Sequence, residues 1–311
     1  MYKTVWNKIK EFDSIVIYGH VNPDGDCYGS QLGLKKAILD NFENKKVYAV
    51  GSGYPRLSSL IGTMDEVDDE TIKNSLSIVV DTSNQDRVED QRYKLGLDVI
   101  KIDHHLPQEH FGNPELLETS RCSCTELICV MLLANEAKIT SKAALPLFLG
   151  LVTDSGRFLY QPISKQTYEI AGVLSDTGID CNALYDALYE VDEKILRLKG
   201  YIYVNYKKTK ENIAYLVCPK EDLRKLGCDF NLAASQVNAI ANIKGCPAWV
   251  FFSESESGLV RVEFRSKDIN VQTVAAKFGG GGHIHASGCR LDALEDYKYV
   301  LDSLDKLARG E

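Results

Sequence analysis

Residues 14–26 have the sequence SIVIYGHVNPDGD, in which an apolar run ends directly in a loop rich in acidic and imidazole side chains. The Val, Ile and Tyr residues of the run 14–18 favour a β-strand. The segment 28–41 predicts a helix after the loop, and a strand followed by a helix is the unit of a parallel α/β sheet. The loop itself carries His20, Asp24 and Asp26.

Three further apolar segments end in residues of the same chemical type: Asp81 after 77–80, Asp103, His104 and His105 after 99–102, and Asp154 after 147–152. In an open parallel sheet the chain leaves the carboxyl ends of the strands at one edge, and ligands bind there. We therefore expect side chains from four distant segments to line one crevice.

Several carboxylates in one small site raise one another's pKa values unless cations are present. The grouping therefore predicts a pair of divalent metal ions. Asp81 is well suited to bridge the two ions, because each of its carboxylate oxygens can face a different one.

Other interpretations of these residues exist. The segment 20–26 contains Asn, Pro, Asp and Gly, so it could be a surface turn. Asp81 and Asp154 could be helix N-caps, and the triplet 103–105 could be a hydrogen-bonded structural cluster. An EF-hand loop fits poorly, because no Glu occupies the twelfth loop position and no helix precedes the loop.

The second half of the chain predicts a smaller α/β unit with strands over 213–218, 248–252, 259–264 and 286–291 and helices over 231–240, 271–278 and 293–307. Its candidate site residues are Arg265, at a strand end, and the glycines of 279–282 followed by His283. Exposed backbone N–H groups of such glycines can hold a phosphate. The alternatives are a flexible loop for the glycines and a solvated charge for Arg265.

Length and composition bound the class of protein. The 311 residues suggest two domains, and no apolar run is long enough to span a membrane. The nine cysteines include no Cys-x-x-Cys pair, which favours reduced thiols and a cytoplasmic location. The net charge of −8 argues against binding to long nucleic acids but allows a short phosphorylated ligand.

The motifs resemble those of the DHH phosphoesterase superfamily. The pattern His20-x-x-x-Asp24-x-Asp26, then Asp81, then Asp103-His104-His105, then Asp154 occurs in the order that the superfamily shows. Phe264-Arg265-Ser266 and the segment from Gly280 to Gly288 resemble the DHH-associated C-terminal domain. The resemblance spans nearly the whole chain and is most similar to the branch of small oligoribonucleases (nanoRNases) that also act on 3′-phosphoadenosine 5′-phosphate.

This resemblance implies two manganese ions and a role for each motif residue. One metal would be held by His20, Asp24 and Asp81, and the other by Asp26, Asp81, His104 and Asp154. His105 would lie beside the scissile phosphate, with Asp103 and Asp81 completing the catalytic group. Contacts to the terminal nucleotide and its phosphate would come from Arg265, Ser266, Gly281, Gly282 and His283, whereas His285 has no assigned role.

The resulting expectation is an α/β catalytic domain over 1–190 with a parallel sheet and helices on both faces, a helical linker over 191–209, and a smaller α/β substrate-binding domain over 210–311, with the active site between the domains. The expected activity is hydrolysis of short RNA oligonucleotides, and of 3′-phosphoadenosine 5′-phosphate to AMP. The alternatives are a phosphodiesterase of linear or cyclic di-adenylates and a non-catalytic nucleotide sensor. The oligomer considered is a homodimer through the N-terminal domain.

Overall fold

The computed structural model describes residues 1–160 and 162–311. The chain forms two compact units, Met1–Glu190 and Val191–Glu311, and each is described by itself. Residues 191–209, predicted as a separate linker, contain a helix that belongs to the second unit. Within the described ranges, no helix combines the length and apolar character needed to cross a bilayer.

The first unit contains eight helices and five strands in its described part. The helices are α1 (Tyr2–Glu11), α2 (Gly25–Asn41), α3 (Ser58–Ile61), α4 (Asp69–Lys73), α5 (Cys124–Ala134), α6 (Ser141–Asp154), α7 (Lys165–Asp176) and α8 (Cys181–Tyr189). The strands are β1 (Ser14–Tyr18), β2 (Lys46–Ala49), β3 (Leu76–Val80), β4 (Asp98–Asp103) and β5 (Glu115–Leu117).

These five strands form a parallel sheet in the order β2-β1-β3-β4-β5, which confirms the predicted fold class. Side chains alternate between the two faces of a strand. Ile15 and Ile17 accordingly pack into the large core formed with α1, α2, α5 and α6, whereas Val16 and Tyr18 pack on the opposite face. That second face is covered by short elements, chiefly α4 and a 3₁₀ turn at 91–95.

Helices α2 and α6 approach each other closely along a stripe of small residues. A Cβ atom on Gly29 would lie 2.4 Å from the carbonyl oxygen of Pro146, and one on Gly25 would lie 2.4 Å from Thr153 Oγ1. Gly33, one further turn along α2, faces Leu147 in the same way. The contacts run antiparallel, so the beginning of α2 lies beside the end of α6.

The second unit contains α9 (Glu193–Asn205), α10 (Lys220–Lys225), α11 (Phe230–Ser235), α12 (Gln272–Lys277) and α13 (Tyr297–Ala308). Its strands are β6 (Lys207–Lys208), β7 (Ala214–Cys218), β8 (Ala248–Glu254), β9 (Val260–Ser266), β10 (Gly281–His283) and β11 (Ala286–Leu291). They form one mixed sheet in the order β10-β11-β9-β8-β7-β6, in which only the β7–β8 pairing is parallel among the described strands.

The second unit has two features that the sequence did not predict. The glycine-rich segment is not a loop throughout: 281–283 form a strand that pairs with β11, because a glycine strand can hydrogen-bond through its backbone without side-chain packing. The segment 231–240, predicted as one helix, is divided into α11 and a 3₁₀ turn at Val237–Ile240.

Candidate active site

The sheet order brings three of the predicted loops to adjacent positions. Strand β3 lies between β1 and β4, so the loops that begin after Tyr18, Val80 and Asp103 leave the same edge side by side. In sheets of this order, ligands bind beside the strands where the order reverses, here β1 and β3. The fourth predicted segment contributes Asp154, which is the last residue of α6. Asp154 is therefore not a helix N-cap.

Asp81 lies at the centre of the group and is nearly fully buried. Its Oδ2 atom is 3.6 Å from His20 Nε2, and its Oδ1 atom is 3.5 Å from His104 Nε2. Its φ of 53° places it in the left-handed region, which Asp tolerates better than most residues do. Strained backbone of this kind tends to occur at functional sites.

His20 forms one side of the site. Its Nδ1 atom lies 3.0 Å from the carbonyl oxygen of Val21, so an N–H at Nδ1 leaves Nε2 directed at Asp81 and, at 3.8 Å, at Asp24 Oδ1. The Asp24 carboxylate also caps α2, accepting hydrogen bonds from the backbone N–H groups of Asp26 and Cys27. Asp24 therefore combines a local structural contact with a position beside the first imidazole.

His104 forms the opposite side of the site. Its Nε2 atom lies 3.7 Å from Asp26 Oδ2 and 3.4 Å from Asp154 Oδ2, while its Nδ1 atom lies 3.2 Å from the carbonyl oxygen of Arg121. A ring N–H bonded to a backbone carbonyl is the usual support of a metal-binding histidine. The Arg121 carbonyl has no sequence signal, because any residue supplies the same group.

Asp26 is held by a helix that the sequence did not connect with the site. Its carboxylate accepts hydrogen bonds from the backbone N–H of Cys124 at 2.6 Å, and from the backbone N–H and hydroxyl of Thr125 at 3.0 and 2.9 Å. The positive N-terminal end of α5 therefore favours the charged form of this buried carboxylate. Gly150 permits the approach, because a Cβ there would lie 2.5 Å from Asp26 Oδ1.

Cys27 is a second residue that the sequence-based analysis missed. Its Sγ atom accepts a hydrogen bond from the backbone N–H of His20 at 3.2 Å, and its position is close enough to join His20 and Asp81 in a metal-binding group. Burial raises the pKa of the thiol to about 11. Cys27 is thus a neutral thiol that shapes the loop around His20.

The carboxylates and imidazoles of the cluster shift one another's pKa values. Burial alone would raise the pKa of Asp81, but the imidazoles of His104 and His20 hold it below its ordinary range. Burial and the Asp81 charge raise the pKa of Asp26 well above its usual value and that of Asp154 to about 6. Burial lowers the pKa of His104, yet the surrounding carboxylates raise it to about 10.

His105 is placed differently from His104. Its Nδ1 atom lies 2.8 Å from Asp103 Oδ1, which also accepts the backbone N–H of His105. The imidazole is about half exposed, whereas Asp103 is fully buried. The hydrogen bond with the Asp103 carboxylate is the main reason that the pKa of the His105 imidazole is raised above its ordinary value. Asp103 Oδ1 therefore contacts both the ring and the backbone of His105.

The residues present fit divalent cations. Three groups of side chains each place their ligand atoms within 4.8 Å of one another: His20 with Cys27 and Asp81, Asp81 with His104 and His105, and Asp26 with His104 and Asp154. The Oδ1 atom of Asp81 is buried without a hydrogen-bond donor in the described part of the chain. Oxygen and imidazole donors suit manganese, iron and related divalent ions.

The predicted substrate residues of the second unit lie on neighbouring strands. Arg265 on β9 pairs in register with Ala286 on β11, which in turn pairs with His283 on β10. The guanidinium of Arg265 contacts Glu263 Oε2 at 3.2 Å and the carbonyl oxygen of Phe264 at 2.7 Å. Arg265 and His283 are therefore two strands apart at one end of the sheet.

Ser266 and His285 form a pair that explains the unassigned histidine. The Ser266 hydroxyl donates to the carbonyl oxygen of Ile269 at 2.5 Å and lies 3.0 Å from His285 Nδ1. Both side chains therefore connect β9 to the turn before β11. Gly281 and Gly282 lie on β10, where Gly282 has a φ of 136° and a Cβ would lie 2.6 Å from the Ala286 carbonyl oxygen.

Two family models match the chain. The one described as the DHH family, N-terminal domain, matches residues 14–151, and the one described as the DHHA1 domain matches residues 210–310. These ranges contain all of the candidate site residues except Asp154, which lies three residues beyond the first range.

Curated relatives and a solved structure resemble the chain over nearly its full length. A Bacillus subtilis (strain 168) protein named bifunctional oligoribonuclease and PAP phosphatase NrnA is 36% identical over 97% of this chain and 96% of its own. A Streptococcus mutans protein with the same name, marked probable, is 36% identical over 99% of both. The crystal structure of an exopolyphosphatase-related protein from Bacteroides fragilis superposes with a TM-score of 0.80, at 26% identity over 99% of this chain and 97% of that one.

Proposed function

The chain belongs to the DHH family and ends in a DHHA1 domain, and from this we propose that it is a phosphoester hydrolase that degrades short RNA oligonucleotides to mononucleotides. The same site would remove the 3′-phosphate of 3′-phosphoadenosine 5′-phosphate, giving AMP. Relatives that share more than a third of its residues carry both activities in their names.

The observation that carries the proposal is the position of Asp81. Its Oδ2 atom lies 3.6 Å from His20 Nε2, and its Oδ1 atom lies 3.5 Å from both His104 Nε2 and His105 Nδ1. Asp24 lies beside the His20 imidazole, whereas Asp26 and Asp154 lie beside the His104 imidazole. This arrangement supports two cation positions with Asp81 shared, one beside His20 and Asp24 and the other beside Asp26, His104 and Asp154. We assign both positions to divalent ions, most simply Mn²⁺.

When bound, two such ions would activate a water as the nucleophile and neutralise charge on the phosphoryl oxygens. The chain's own residues would orient and protonate the substrate. With Nδ1 directed at Asp103, His105 presents Nε2 to the solvent side, where it can hydrogen-bond a phosphate oxygen or protonate the departing ribose oxygen. Asp103 fixes the ring in that orientation.

The second unit would bind the nucleotide. Arg265 supplies a guanidinium at a strand end, and His283 with the exposed backbone of Gly281 and Gly282 supplies donors suited to a phosphate. Ser266 would support this surface indirectly, because its hydroxyl is engaged with Ile269 and His285.

Short substrates fit the charge of the molecule better than long RNA does. The net charge is −8, and binding a long strand relies on neutralising many phosphates. Nine cysteines, all unpaired, are consistent with the reducing cytoplasm, where we place the enzyme.

The experiment is a hydrolysis panel with Mn²⁺: di- to pentaribonucleotides, 3′-phosphoadenosine 5′-phosphate, and linear and cyclic di-adenylate. The proposal expects mononucleotide release from the short oligomers, AMP from the bisphosphate, and loss of both on chelation. Faster turnover of cyclic di-adenylate than of any oligomer would favour the signalling-nucleotide alternative. Binding without turnover of any substrate would favour a sensor.

A further inference from the structure

Lys101 is a fully buried lysine close to the active site. It lies in β4, two residues before Asp103, and its side chain is 0% exposed. Lysines are almost never fully buried unless they are paired. Residues two apart on a strand point to the same face, so Lys101 and Asp103 lie side by side.

The ammonium group has four neighbours. Its Nζ atom lies 3.5 Å from Asp103 Oδ2, donates to the carbonyl oxygens of Ser83 at 3.2 Å and Glu109 at 3.4 Å, and lies 4.5 Å from the centre of the Phe111 ring. Ser83 belongs to the loop that begins with Asp81, and Glu109 to the loop that follows His105. The lysine therefore connects both loops to the strand between them.

The two oxygens of Asp103 have different partners. Oδ1 accepts both N–H groups of His105, from the ring and from the backbone. Oδ2 is buried without a hydrogen bond from the described residues, and Lys101 is the cation beside it. Rotation of the carboxylate away from His105 would separate Oδ2 from that positive charge.

We propose that Lys101 is a positioning residue: it fixes the carboxylate of Asp103, and through it the ring of His105. The inference rests on the proposed function, because it requires His105 to act at the scissile phosphate. A purely structural role explains the residue less well, since a buried ion pair can often be replaced by apolar side chains without loss of stability.

The test is a double-mutant cycle with Lys101→Met and His105→Ala, assayed on a diribonucleotide with saturating Mn²⁺. If Lys101 acts through His105, Lys101→Met lowers kcat about 10- to 100-fold in the wild-type background, as loss of an outer partner of a site residue does. In the His105→Ala background it changes kcat less than about twofold. KM should change less than about threefold in either background.

A control separates positioning from general damage. Lys35→Met removes a partly buried lysine of the same unit, which pairs with Asp65 at 2.6 Å, and it should leave kcat unchanged. The Mn²⁺ affinity of Lys101→Met, measured by calorimetry, should match that of the wild type. An equal loss of kcat in both backgrounds, or no loss in either, would overturn the inference.

A second variant of Lys101 keeps the inference testable if Lys101→Met does not fold. Lys101→Gln keeps a donor near the Ser83 and Glu109 carbonyl oxygens but removes the charge, and it enters the same cycle. If both Lys101 variants were insoluble while Lys35→Met folded, the lysine would be shown to be structural and the inference would fail. A wild type without turnover would instead contradict the proposed function, whatever the Lys101 variants do.

Discussion

Asp81 combines three unusual properties: burial, a left-handed backbone conformation and three imidazole neighbours. Asn tolerates the same backbone conformation, so Asp81→Asn tests the charge with little change in shape. The substitution removes the negative charge that would hold both cations. Because this costs several kcal/mol of charge stabilisation, we expect kcat/KM to fall more than about 100-fold. Steady-state kinetics on a dinucleotide would measure this.

The control for this substitution is Asp98→Asn, which alters a partly exposed carboxylate on the same sheet, paired with Lys8. It should retain full activity. Circular dichroism should show both variants folded. A folded Asp81→Asn enzyme with wild-type turnover would contradict the role of Asp81 as the ligand shared by both cations.

Metal affinity should depend on pH with a definite sign. In the metal-free protein the pKa of His104 is raised to about 10 and that of Asp154 to about 6, so a proton occupies the His104 imidazole at neutral pH. A cation must displace that proton, and the apparent Mn²⁺ affinity should therefore rise between pH 6.5 and 9. Calorimetry in buffers of different ionisation enthalpy would detect the released proton; a pH-independent affinity would contradict the proposed ligand set.

At the scale of the elements, the antiparallel packing of α2 and α6 brings Asp26 and Asp154 together. Gly29→Ala would force a methyl group against the Pro146 carbonyl, and overpacking of this kind costs about 1–3 kcal/mol. We expect a lower free energy of unfolding in urea, together with weaker Mn²⁺ binding.

Gly172 in α7 is a matched control, because a Cβ there meets no atom within 4 Å. Gly172→Ala should raise the free energy of unfolding by about 0.5–1 kcal/mol, since alanine is the better helix former. A stability loss at Gly172 that equals the loss at Gly29 would show that helix propensity, not the approach of α6, determines the effect.

Strand β9 and its neighbours provide the second element-scale prediction. Arg265→Ala removes a guanidinium proposed to bind the nucleotide, and loss of a charged hydrogen bond costs about 1.5–3 kcal/mol. The KM for dinucleotides should rise about 10- to 100-fold, with unchanged Mn²⁺ affinity. Arg224→Ala, at an exposed pair with Glu256, should leave KM as it is; unaltered KM in both variants would remove Arg265 from the binding surface.

The elements that the sequence predicted well are those with local signals. The runs 14–18, 76–80 and 99–102 are short and apolar and are followed by polar loops, and each is a strand of the parallel sheet. The N-terminal end of α5 could not be connected with Asp26 in this way, because a backbone N–H leaves no mark on the sequence. The strand β10 was missed for a related reason, since glycines indicate a loop unless a pairing partner is known.

The site residues likewise divide into those with a signal in the sequence and those without one. The carboxylates and imidazoles around Asp81 could be named from the sequence because their types are chemically distinctive. Lys101 could not, because a lysine within an apolar strand normally indicates a solvated position, and only the structure shows its contact with Asp103. The Ser266–His285 pair likewise depends on the register between β9 and β11.

At the scale of the whole molecule, the negative net charge limits the number of phosphates that the enzyme can hold. If one or two phosphates are neutralised, a plot of log kcat/KM against log salt should have a slope no steeper than about −1.5, from about −0.7 per phosphate on a single strand. Turnover per molecule should decrease from dinucleotides to a 24-nucleotide RNA. A steep slope and faster cleavage of the long strand would indicate a processive nuclease instead.

The most direct test of the central claim is anomalous diffraction from a crystal of the protein soaked with Mn²⁺, recorded at the manganese absorption edge. The account predicts two peaks that share Asp81, one contacted by His20 and Asp24 and the other by Asp26, His104 and Asp154. Peaks at other residues, or no peak among these side chains at saturating Mn²⁺, would contradict it.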